Sequence, residues 1–184
     1  LMMREFRALN KLDHPNIVAL LGVVVDDPSW VCLLMELADK GSLRQQLDKS
    51  PETIVGNRVV QIWLANDIAS ALAYCHAQTP QPLLHHDIKS ANVLLCSTDE
   101  AGALRLTAKV ADFGLAIGVS SATTLAVTAR TATHAAGGTL AYRSPESFNG
   151  KYDRASEVYS YAIVLWELLT GQKPWFRQAD GRPY

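Results

Sequence analysis

A short polar segment carries the side-chain types that phosphoryl transfer requires. Residues 85–92 read His-His-Asp-Ile-Lys-Ser-Ala-Asn, so a carboxylate, an ammonium group and a carboxamide fall within one loop. Asp112 follows Asn92 after twenty residues. The transfer needs a carboxylate to orient the attacking hydroxyl, oxygen ligands for Mg²⁺ and a cation near the phosphate. Asp87 is the candidate for the first role, Asn92 with Asp112 for the second, and Lys89 for the third.

Apolar runs flank these polar residues and are typical of short buried strands. The predicted strands cover residues 83–84, 92–96 and 106–111. The candidate residues therefore fall on loops between buried strands, and catalytic side chains are commonly held in that way.

The N-terminal part of the sequence predicts one amphipathic helix and two strands. The helix is indicated by apolar residues at helical spacing, namely Met2, Phe6, Leu9 and Leu12. The Asp-His-Pro sequence at 13–15 ends it, because the residue before a proline is disfavoured in a helix. Runs at 17–25 and 30–36 predict antiparallel strands joined by a turn at 26–29.

Helices predominate in the remainder of the chain. A short helix is predicted over 43–47 and a long one over 58–77. Residues 114–138 are rich in Ser, Thr, Ala and Gly and predict a surface loop, which a helix near 144–149 ends. A helix over 155–170 is apolar on most of its faces, as is typical of the centre of a domain. The sequence therefore predicts an α+β fold.

The composition limits the class of protein. With 184 residues, 48% of them hydrophobic, the chain is one domain or a large piece of one. The formal net charge is −1 and no long run of like charge occurs, which argues against a nucleic-acid partner. No apolar run approaches the roughly 18 residues of a spanning helix, so we expect no membrane contact from this segment. Three widely spaced cysteines without a CxxC pair favour a reduced, cytoplasmic protein.

The motifs together resemble those of eukaryotic protein kinases. HHDIKSANVLL followed by ADFGLA is similar to the catalytic loop and the metal-binding motif of that family, and residues 138–146 match its Gly-Thr-x-x-Tyr-x-Ser-Pro-Glu pattern. The phrases HPNIVALLGV, MELADKGSL and SEVYSYAIVLWELLTGQKPW resemble the tyrosine-kinase-like group, which includes the mixed-lineage, Raf-like and Roco kinases.

The resemblance implies a bilobal kinase fold that this chain covers in part. Residues 1–36 would be a remnant of the small lobe, with one helix and about two strands. Residues 37–184 would form the mostly helical large lobe without its last helices. On this interpretation the whole chain, 1–184, is a fragment of one protein kinase domain, truncated at both ends.

The resemblance also implies roles in the reaction. Asp87 matches the catalytic base, and Lys89 matches the residue that contacts the phosphate in transit. Asn92 and Asp112 match the ligands of Mg²⁺. Glu5 matches the glutamate of the regulatory helix that pairs with the ATP-binding lysine.

Six further positions match the family's adenosine site. Met35 resembles the gatekeeper, and Glu36 to Ala38 resemble the hinge whose backbone binds adenine. Leu94 matches the residue beneath the adenine ring, and Ser42 is placed to reach the ribose. ATP and Mg²⁺ are therefore the implied cofactors.

The substrate class follows from two positions of the resemblance. Lys89 and Thr139 match the lysine and the substrate-loop threonine of the Ser/Thr branch, so a protein serine or threonine hydroxyl is the implied acceptor. Hydroxyl residues in the preceding loop are candidate phosphorylation sites. They are Ser120, Ser121, Thr123, Thr124, Thr128, Thr131 and Thr133.

His85 is interpreted as a packing residue. It resembles a member of the kinase regulatory spine, together with Leu9, Leu20 and Phe113. We expect no catalytic or metal-binding role for its ring.

The sequence departs from the family pattern in two ways. The glycine-rich loop and its lysine should precede residue 1, and helices are expected after Trp175, so this chain alone should bind ATP poorly. Position 86 is His where the family usually has Arg, and position 157 is Glu where it has Asp. An ordinary His carries only a partial charge at neutral pH, so we expect weak activation by loop phosphorylation.

Two functions are compatible with these residues. The first is an ATP-dependent protein serine/threonine kinase in the full-length parent, cytoplasmic or at the cytoplasmic face of a membrane. The alternative is a pseudokinase or an interaction module, suggested by His86, Glu157 and the lysine that is not seen. The oligomeric state and the protein substrate leave no trace in the sequence.

Overall fold

The computed structural model describes residues 2–27, 30–100, 103–118 and 139–174. The helices are α1 (Met2–Leu9), α2 (Leu43–Lys49), α3 (Arg58–His76) and α4 (Arg154–Thr170). The strands are β1 (Leu20–Asp27), β2 (Trp30–Met35), β3 (Leu83–Leu84), β4 (Val93–Glu100), β5 (Ala103–Val110) and β6 (Ile117–Gly118). Single 3₁₀ turns occupy Pro51–Thr53, Ser90–Asn92, Phe113–Leu115, Thr139–Tyr142 and Pro145–Asn149. The predicted α+β class is confirmed.

The strands form three antiparallel pairs, β1 with β2, β3 with β6, and β4 with β5. The predicted pairing of the two N-terminal strands is therefore found. The β4–β5 hairpin is longer than the sequence predicts, because its ladder continues through polar pairs such as Thr98 with Arg105. Backbone hydrogen bonds do not require apolar side chains, so an apolar run marks only part of such a hairpin.

The segment before β1 joins the N-terminal helix to the β4–β5 hairpin. The Val18 amide donates to the Val110 carbonyl at 3.0 Å, and the Val110 amide donates to the Asn16 carbonyl at 2.8 Å. The buried Asn16 side chain also donates to the Ala108 carbonyl at 3.0 Å. These bonds fix α1 beside the loop that follows β5.

Two helices begin at residues whose side chains cap them. The Ser42 hydroxyl accepts from the Gln45 amide, and the Gln45 side chain accepts from the Ser42 amide, which forms a capping box before α2. Asp153 and Ser156 form the same arrangement before α4. Such caps satisfy amides that have no partner within the helix, and each contributes about 1 kcal/mol.

The core lies where α3 packs against α4 and against β5. Leu64, Ile68 and Val164 are completely buried there. Asp67 of α3 is a buried polar member of this contact. Its carboxylate accepts from Arg105 Nη2 at 2.9 Å and from the Ala108 amide at 3.0 Å, both on β5.

Helix α4 is less apolar on its buried side than its composition suggests. The buried side chains are Ser156, Glu157, Ser160, Val164, Glu167 and Leu168. Val158 and Leu169, in contrast, are 57% and 63% exposed. The predicted burial of a helix that is apolar on most of its faces is therefore found only in part, since Val158 and Leu169 are exposed while Glu157 and Glu167 are buried. No helix in the described ranges combines the length and apolar character needed to cross a membrane.

The three cysteines are unpaired in the structure. Cys75 and Cys96 are buried and Cys32 is exposed. Burial, aided by the negative charge of Glu157, raises the pKa of the Cys75 thiol to about 12. Cys75 is thus a small core residue and an unreactive one.

Two isoleucines of α3 test the assignment of the core. Ile68 is completely buried and Ile62 is 65% exposed. We expect Ile68→Ala to lower the free energy of unfolding by about 2 to 5 kcal/mol, because it leaves a cavity. Ile62→Ala should change it by less than about 0.5 kcal/mol, since no packing is lost.

Urea unfolding followed by circular dichroism measures both values. Similar losses for the two variants would contradict the placement of these helix faces.

Candidate active site

The pairing of β4 with β5 brings the two polar motifs together. Val93, directly after Asn92, pairs with Val110, and both valines are 1% exposed. The Ala111 amide donates to the Asn92 carbonyl at 2.9 Å, which holds Asp112 beside the end of the catalytic loop. The predicted position of these residues, on loops at the ends of buried strands, is thus what the structure shows.

Asp87 is held by donors on one side of its carboxylate. Its Oδ2 accepts from Lys89 Nζ at 2.6 Å and from Asn92 Nδ2 at 3.0 Å. Asn92 Nδ2 also donates to the Asp87 carbonyl at 2.9 Å. The other oxygen, Asp87 Oδ1, is buried without a hydrogen-bond partner among the described residues. A fixed carboxylate with one unpartnered oxygen is an arrangement that could take a proton from a hydroxyl group.

The backbone of this loop is in an unusual conformation. His86 and Asp112 have φ values of 67° and 65°, in the left-handed region that side chains other than glycine rarely adopt. Such a conformation persists only where surrounding contacts enforce it, and it is common at functional sites. His86 directly precedes the candidate base Asp87, and Asp112 is itself a candidate ligand of Mg²⁺.

Glu157 of α4 supplies the contacts that enforce the conformation at His86. Its Oε1 accepts from the amides of His85 and His86, the latter at 2.8 Å. Its Oε2 lies 2.7 Å from His76 Nε2, on the last turn of α3. The Glu157 carboxylate therefore contacts the catalytic loop and α3 at the same time. Although Glu is one methylene longer than the Asp of the family pattern, it still accepts hydrogen bonds from both loop amides.

Charge and burial act on Glu157 in opposite directions. Burial favours the neutral acid, but the hydrogen bond from His76, the field of His85 and the amide of His86 favour the carboxylate. The second group of effects is larger, so the pKa of Glu157 lies below its usual range. An ionised carboxylate is thus the form that holds the loop at neutral pH.

The ring of His86 takes the place of the arginine that the family pattern has here. It stacks on Tyr152 with 4.1 Å between ring centroids, and its two nitrogens are buried without hydrogen-bond partners in the described ranges. Burial lowers the pKa of His86 to about 4, against the opposing field of Glu157. The expected partial charge is therefore absent at pH 7, and the ring is neutral.

His85 packs, as the sequence predicts. It is 1% exposed and meets the Phe113 ring edge to face at 4.6 Å. Its Nε2 lies 2.9 Å from the Ala111 carbonyl oxygen. Leu9 and Phe113 belong to the same buried cluster, and Leu20 packs against it.

Glu5 faces the same motif from α1. Helix α1 contacts the turn at Phe113–Leu115. Burial, and next the negative charge of Asp112, raise the pKa of Glu5. Two carboxylates that repel each other in this way favour a cation between them. The arrangement fits the lysine that the resemblance implies as the partner of Glu5.

The donor set also fits Mg²⁺. Because Asn92 Nδ2 donates to Asp87, its Oδ1 is the atom left for a cation. Asp112 is exposed and directly follows Ala111, whose amide bonds the Asn92 carbonyl. Hard cations of this kind prefer carboxylate and amide oxygens.

The predicted adenosine residues fall into two adjacent places. Met35 ends β2, and the Glu36 carboxylate accepts from the Ala19 amide at 2.7 Å and from Lys109 Nζ at 2.9 Å. Ser42 and Leu94 form an isolated β-bridge, which sets them side by side. The Ser42 hydroxyl caps α2 and is buried, so its contact with a ribose stays a prediction.

The segment after residue 38 links the hinge residues to β4. Ala38 is half-buried, and the Lys40 amide donates to the Leu95 carbonyl at 3.1 Å. The Leu95 amide donates to the Gly41 carbonyl at 2.8 Å. The same strand therefore carries the adenosine candidate Leu94 and continues from Asn92.

Some predictions fall beyond the described residues. The backbone of Thr139 begins the turn Thr139–Tyr142, and its role in the substrate loop stays a prediction. The candidate phosphorylation sites lie outside the described ranges. They are Ser120, Ser121, Thr123, Thr124, Thr128, Thr131 and Thr133.

Sequence reasoning missed His76 and Tyr152. Both act at a distance in the chain, since His76 is 81 residues from Glu157 and Tyr152 meets His86 across 66 residues. In the sequence, these partners are indicated only by the replacement of the family's Arg at 86 and Asp at 157, since different side chains there require different contacts.

A match to the protein kinase domain family extends over residues 1–183, and the chain belongs to this family. It is 35% identical over 181 residues to mitogen-activated protein kinase kinase kinase 10 of Mus musculus, covering 96% of this chain and 17% of that protein. It is 35% identical over 176 residues to mitogen-activated protein kinase kinase kinase 11 of Homo sapiens, covering 94% and 19%. A Drosophila melanogaster mitogen-activated protein kinase kinase kinase is 35% identical over 177 residues, covering 95% and 14%.

These similarities confirm the resemblance to mixed-lineage kinases of the tyrosine-kinase-like group. The chain spans less than a fifth of the length of these relatives. The part that matches them is a protein kinase domain sequence.

The contribution of Glu157 can be measured by its pH dependence. Its folded pKa lies below that of the unfolded chain, so its stabilisation is present above pH 4.5 and is lost as the pH falls through the folded pKa. We expect Glu157→Gln to lower the free energy of unfolding at pH 7 by about 1 to 3 kcal/mol, because the loop amides lose a charged acceptor.

The difference between wild type and Glu157→Gln should shrink as the pH falls from 4.5 through the folded pKa, below which the native carboxyl is neutral as well. Urea unfolding at a series of pH values gives both quantities. A difference that stays constant as the pH falls would show that the charge of Glu157 does not hold the loop.

Proposed function

We propose that the kinase domain to which this chain contributes is an ATP-dependent protein serine/threonine kinase. The observation that carries the proposal is the carboxylate of Asp87. One of its oxygens is fixed by Lys89 and Asn92, and the other is buried without a hydrogen-bond partner in the described residues. The resemblance supplies the substrates, ATP and a protein hydroxyl. The relatives are named mitogen-activated protein kinase kinase kinases, a name that describes a kinase acting on another protein kinase. Another protein kinase is therefore the first substrate class to test.

The reaction can be written on these residues. The substrate hydroxyl oxygen forms a bond to the γ-phosphorus, the bond from that phosphorus to the β–γ bridging oxygen breaks, and the hydroxyl proton passes to Asp87. Lys89, 2.6 Å from Asp87 Oδ2, provides positive charge beside the group in transit. Asn92 and Asp112 would hold Mg²⁺, which neutralises charge on the phosphate oxygens when it is bound.

The finer predictions belong to the same proposal. Residues 1–36 would contribute to the small lobe and 37–184 to the large lobe. Met35, Glu36 to Ala38 and Leu94 would contact the adenine. A kinase that uses cellular ATP would act in the cytoplasm or at the cytoplasmic face of a membrane.

The alternative, a pseudokinase or an interaction module, is suggested by the substitutions at 86 and 157. The geometry favours the enzyme, since Glu157 bonds both loop amides and His86 keeps the left-handed conformation before Asp87. The residues of the full-length protein upstream of Leu1 discriminate the two functions. A glycine-rich loop and a lysine there support the enzyme, and their absence supports the alternative.

Replacement of the catalytic carboxylate tests the proposal. In the full-length protein with Mg²⁺ and labelled ATP, Asp87→Asn should lower kcat by about 10² to 10⁴-fold, because an amide cannot accept the proton. Wild type and Asp87→Asn should unfold at similar temperatures. If wild type transfers no more phosphate than Asp87→Asn, the proposed activity is wrong.

Substitution at position 86 tests the regulation. Because the ring of His86 is neutral at pH 7, we expect phosphorylation within the predicted loop at 114–138 to change the activity of wild type by less than about twofold. His86→Arg introduces a fixed cation, so its activity should depend more strongly on the loop phosphate.

Kinase assays before and after phosphatase treatment give the two responses. An equal response in wild type and His86→Arg would count against the proposed role of this position.

A further inference from the structure

A second buried carboxylate of α4 lies beneath the catalytic loop. The side chain of Glu167 is completely buried. Its Oε1 accepts from Arg44 Nη1 and from the Ser90 hydroxyl, both at 2.9 Å. Its Oε2 accepts from the Tyr142 hydroxyl at 3.0 Å. The hydroxyl oxygens of Ser90 and Tyr142 are themselves 3.2 Å apart. Glu167, Ser90 and Tyr142 therefore form one connected polar network.

The partners of Glu167 come from three different parts of the chain. Arg44 belongs to α2, and Ser90 directly follows Lys89 in the catalytic loop. Tyr142 ends the turn that begins at Thr139, the predicted substrate-loop threonine. The carboxylate therefore connects the loop that carries Asp87 with the segment expected to meet the protein substrate.

Arg44 is the cation of this network and has further contacts. Its Nη2 donates to the Gly171 carbonyl at 3.0 Å, and its Nη1 lies 3.3 Å from the Gln172 carbonyl. It also pairs with Asp48 at 3.0 Å, one turn along α2. Only 13% of its side chain is exposed. The planar guanidinium can meet a carboxylate and several carbonyls at once, whereas a lysine cannot.

The network depends on charge balance. Burial raises the pKa of Glu167, while the hydroxyl of Ser90, the guanidinium of Arg44 and the hydroxyl of Tyr142 oppose that rise. Removing the partner of a buried charge leaves that charge uncompensated, which is far more costly than removing both partners. Loss of Arg44 alone should therefore disturb the bonds that Glu167 makes with Ser90 and Tyr142.

We propose that Arg44 is a positioning residue, which through Glu167 fixes Ser90 of the catalytic loop and Tyr142 of the substrate segment relative to each other. The structural part of this proposal concerns the order of the loop at 85–92. Its catalytic consequence rests on the proposed kinase activity. Arg44 itself touches none of the candidate catalytic side chains that the structure describes.

The test compares Arg44→Met, the double variant Arg44→Met with Glu167→Gln, and a matched control. Arg105→Met is the control, since Arg105 pairs with the buried Asp67 at the same 2.9 Å but joins α3 to β5 and has no bond to Glu167 in the described residues. The full-length protein is used throughout. Hydrogen–deuterium exchange is measured for amides 85–92, together with kcat, the KM for ATP and the unfolding midpoint.

We expect Arg44→Met to speed exchange in 85–92 and to lower kcat by about tenfold, with the KM for ATP within about twofold of wild type. In the double variant, Glu167→Gln should bring the exchange of amides 85–92 and kcat most of the way back to the wild-type values. The neutral amide can still bond Ser90 and Tyr142 without an unpaired charge. Arg105→Met should lower the unfolding midpoint without these effects.

A purely structural role would make Arg44→Met behave like Arg105→Met, with a lower midpoint and unchanged loop exchange, and that result would overturn the proposal. So would a double variant that is no better than Arg44→Met. If wild type fails to exceed Asp87→Asn in phosphate transfer, the proposed kinase activity fails, while the exchange data still decide the role of Arg44.

Discussion

The bond between Glu157 and the backbone of the catalytic loop is the constraint on which the site depends. A left-handed residue at position 86 is unfavourable by itself, and it directs the chain so that Asp87 follows in place. Glu157 offsets that cost by accepting hydrogen bonds from two backbone amides that would otherwise be buried without partners. Because Glu157 lies in the first turn of α4 and also meets His76 on α3, the geometry of the loop is set by the packing of the two core helices.

Two buried glutamates of α4 each bond the catalytic loop. Glu157 near the start of α4 holds the beginning of the catalytic loop, and Glu167 near its end bonds Ser90 farther along the same loop. Each carboxylate is satisfied by a basic or aromatic partner from another helix, His76 in one case and Arg44 in the other. Helix α4 is thus a polar scaffold on its buried side, and the loop rests on two charges rather than on apolar packing alone.

The sequence predicts what is local in the chain and misses what is distant. Asp87, Lys89 and Asn92 lie within six residues, so their chemistry can be inferred together, and the start of α3 at Arg58 was predicted correctly. The partner of Glu167 is Arg44, 123 residues away, and no local pattern indicates that pair. The covered face of α4 could not be inferred either, since its apolar residues point in several directions and buried hydrogen bonds choose among them.

The contact of His86 with Tyr152 has a consequence for the conditions under which the loop stays ordered. An arginine that meets a phosphate is an ion pair, and dissolved salt screens such a pair when it lies near the surface. Two stacked neutral rings carry no net charge to be screened. The junction between the catalytic loop and the segment before α4 should therefore keep its strength as ionic strength rises.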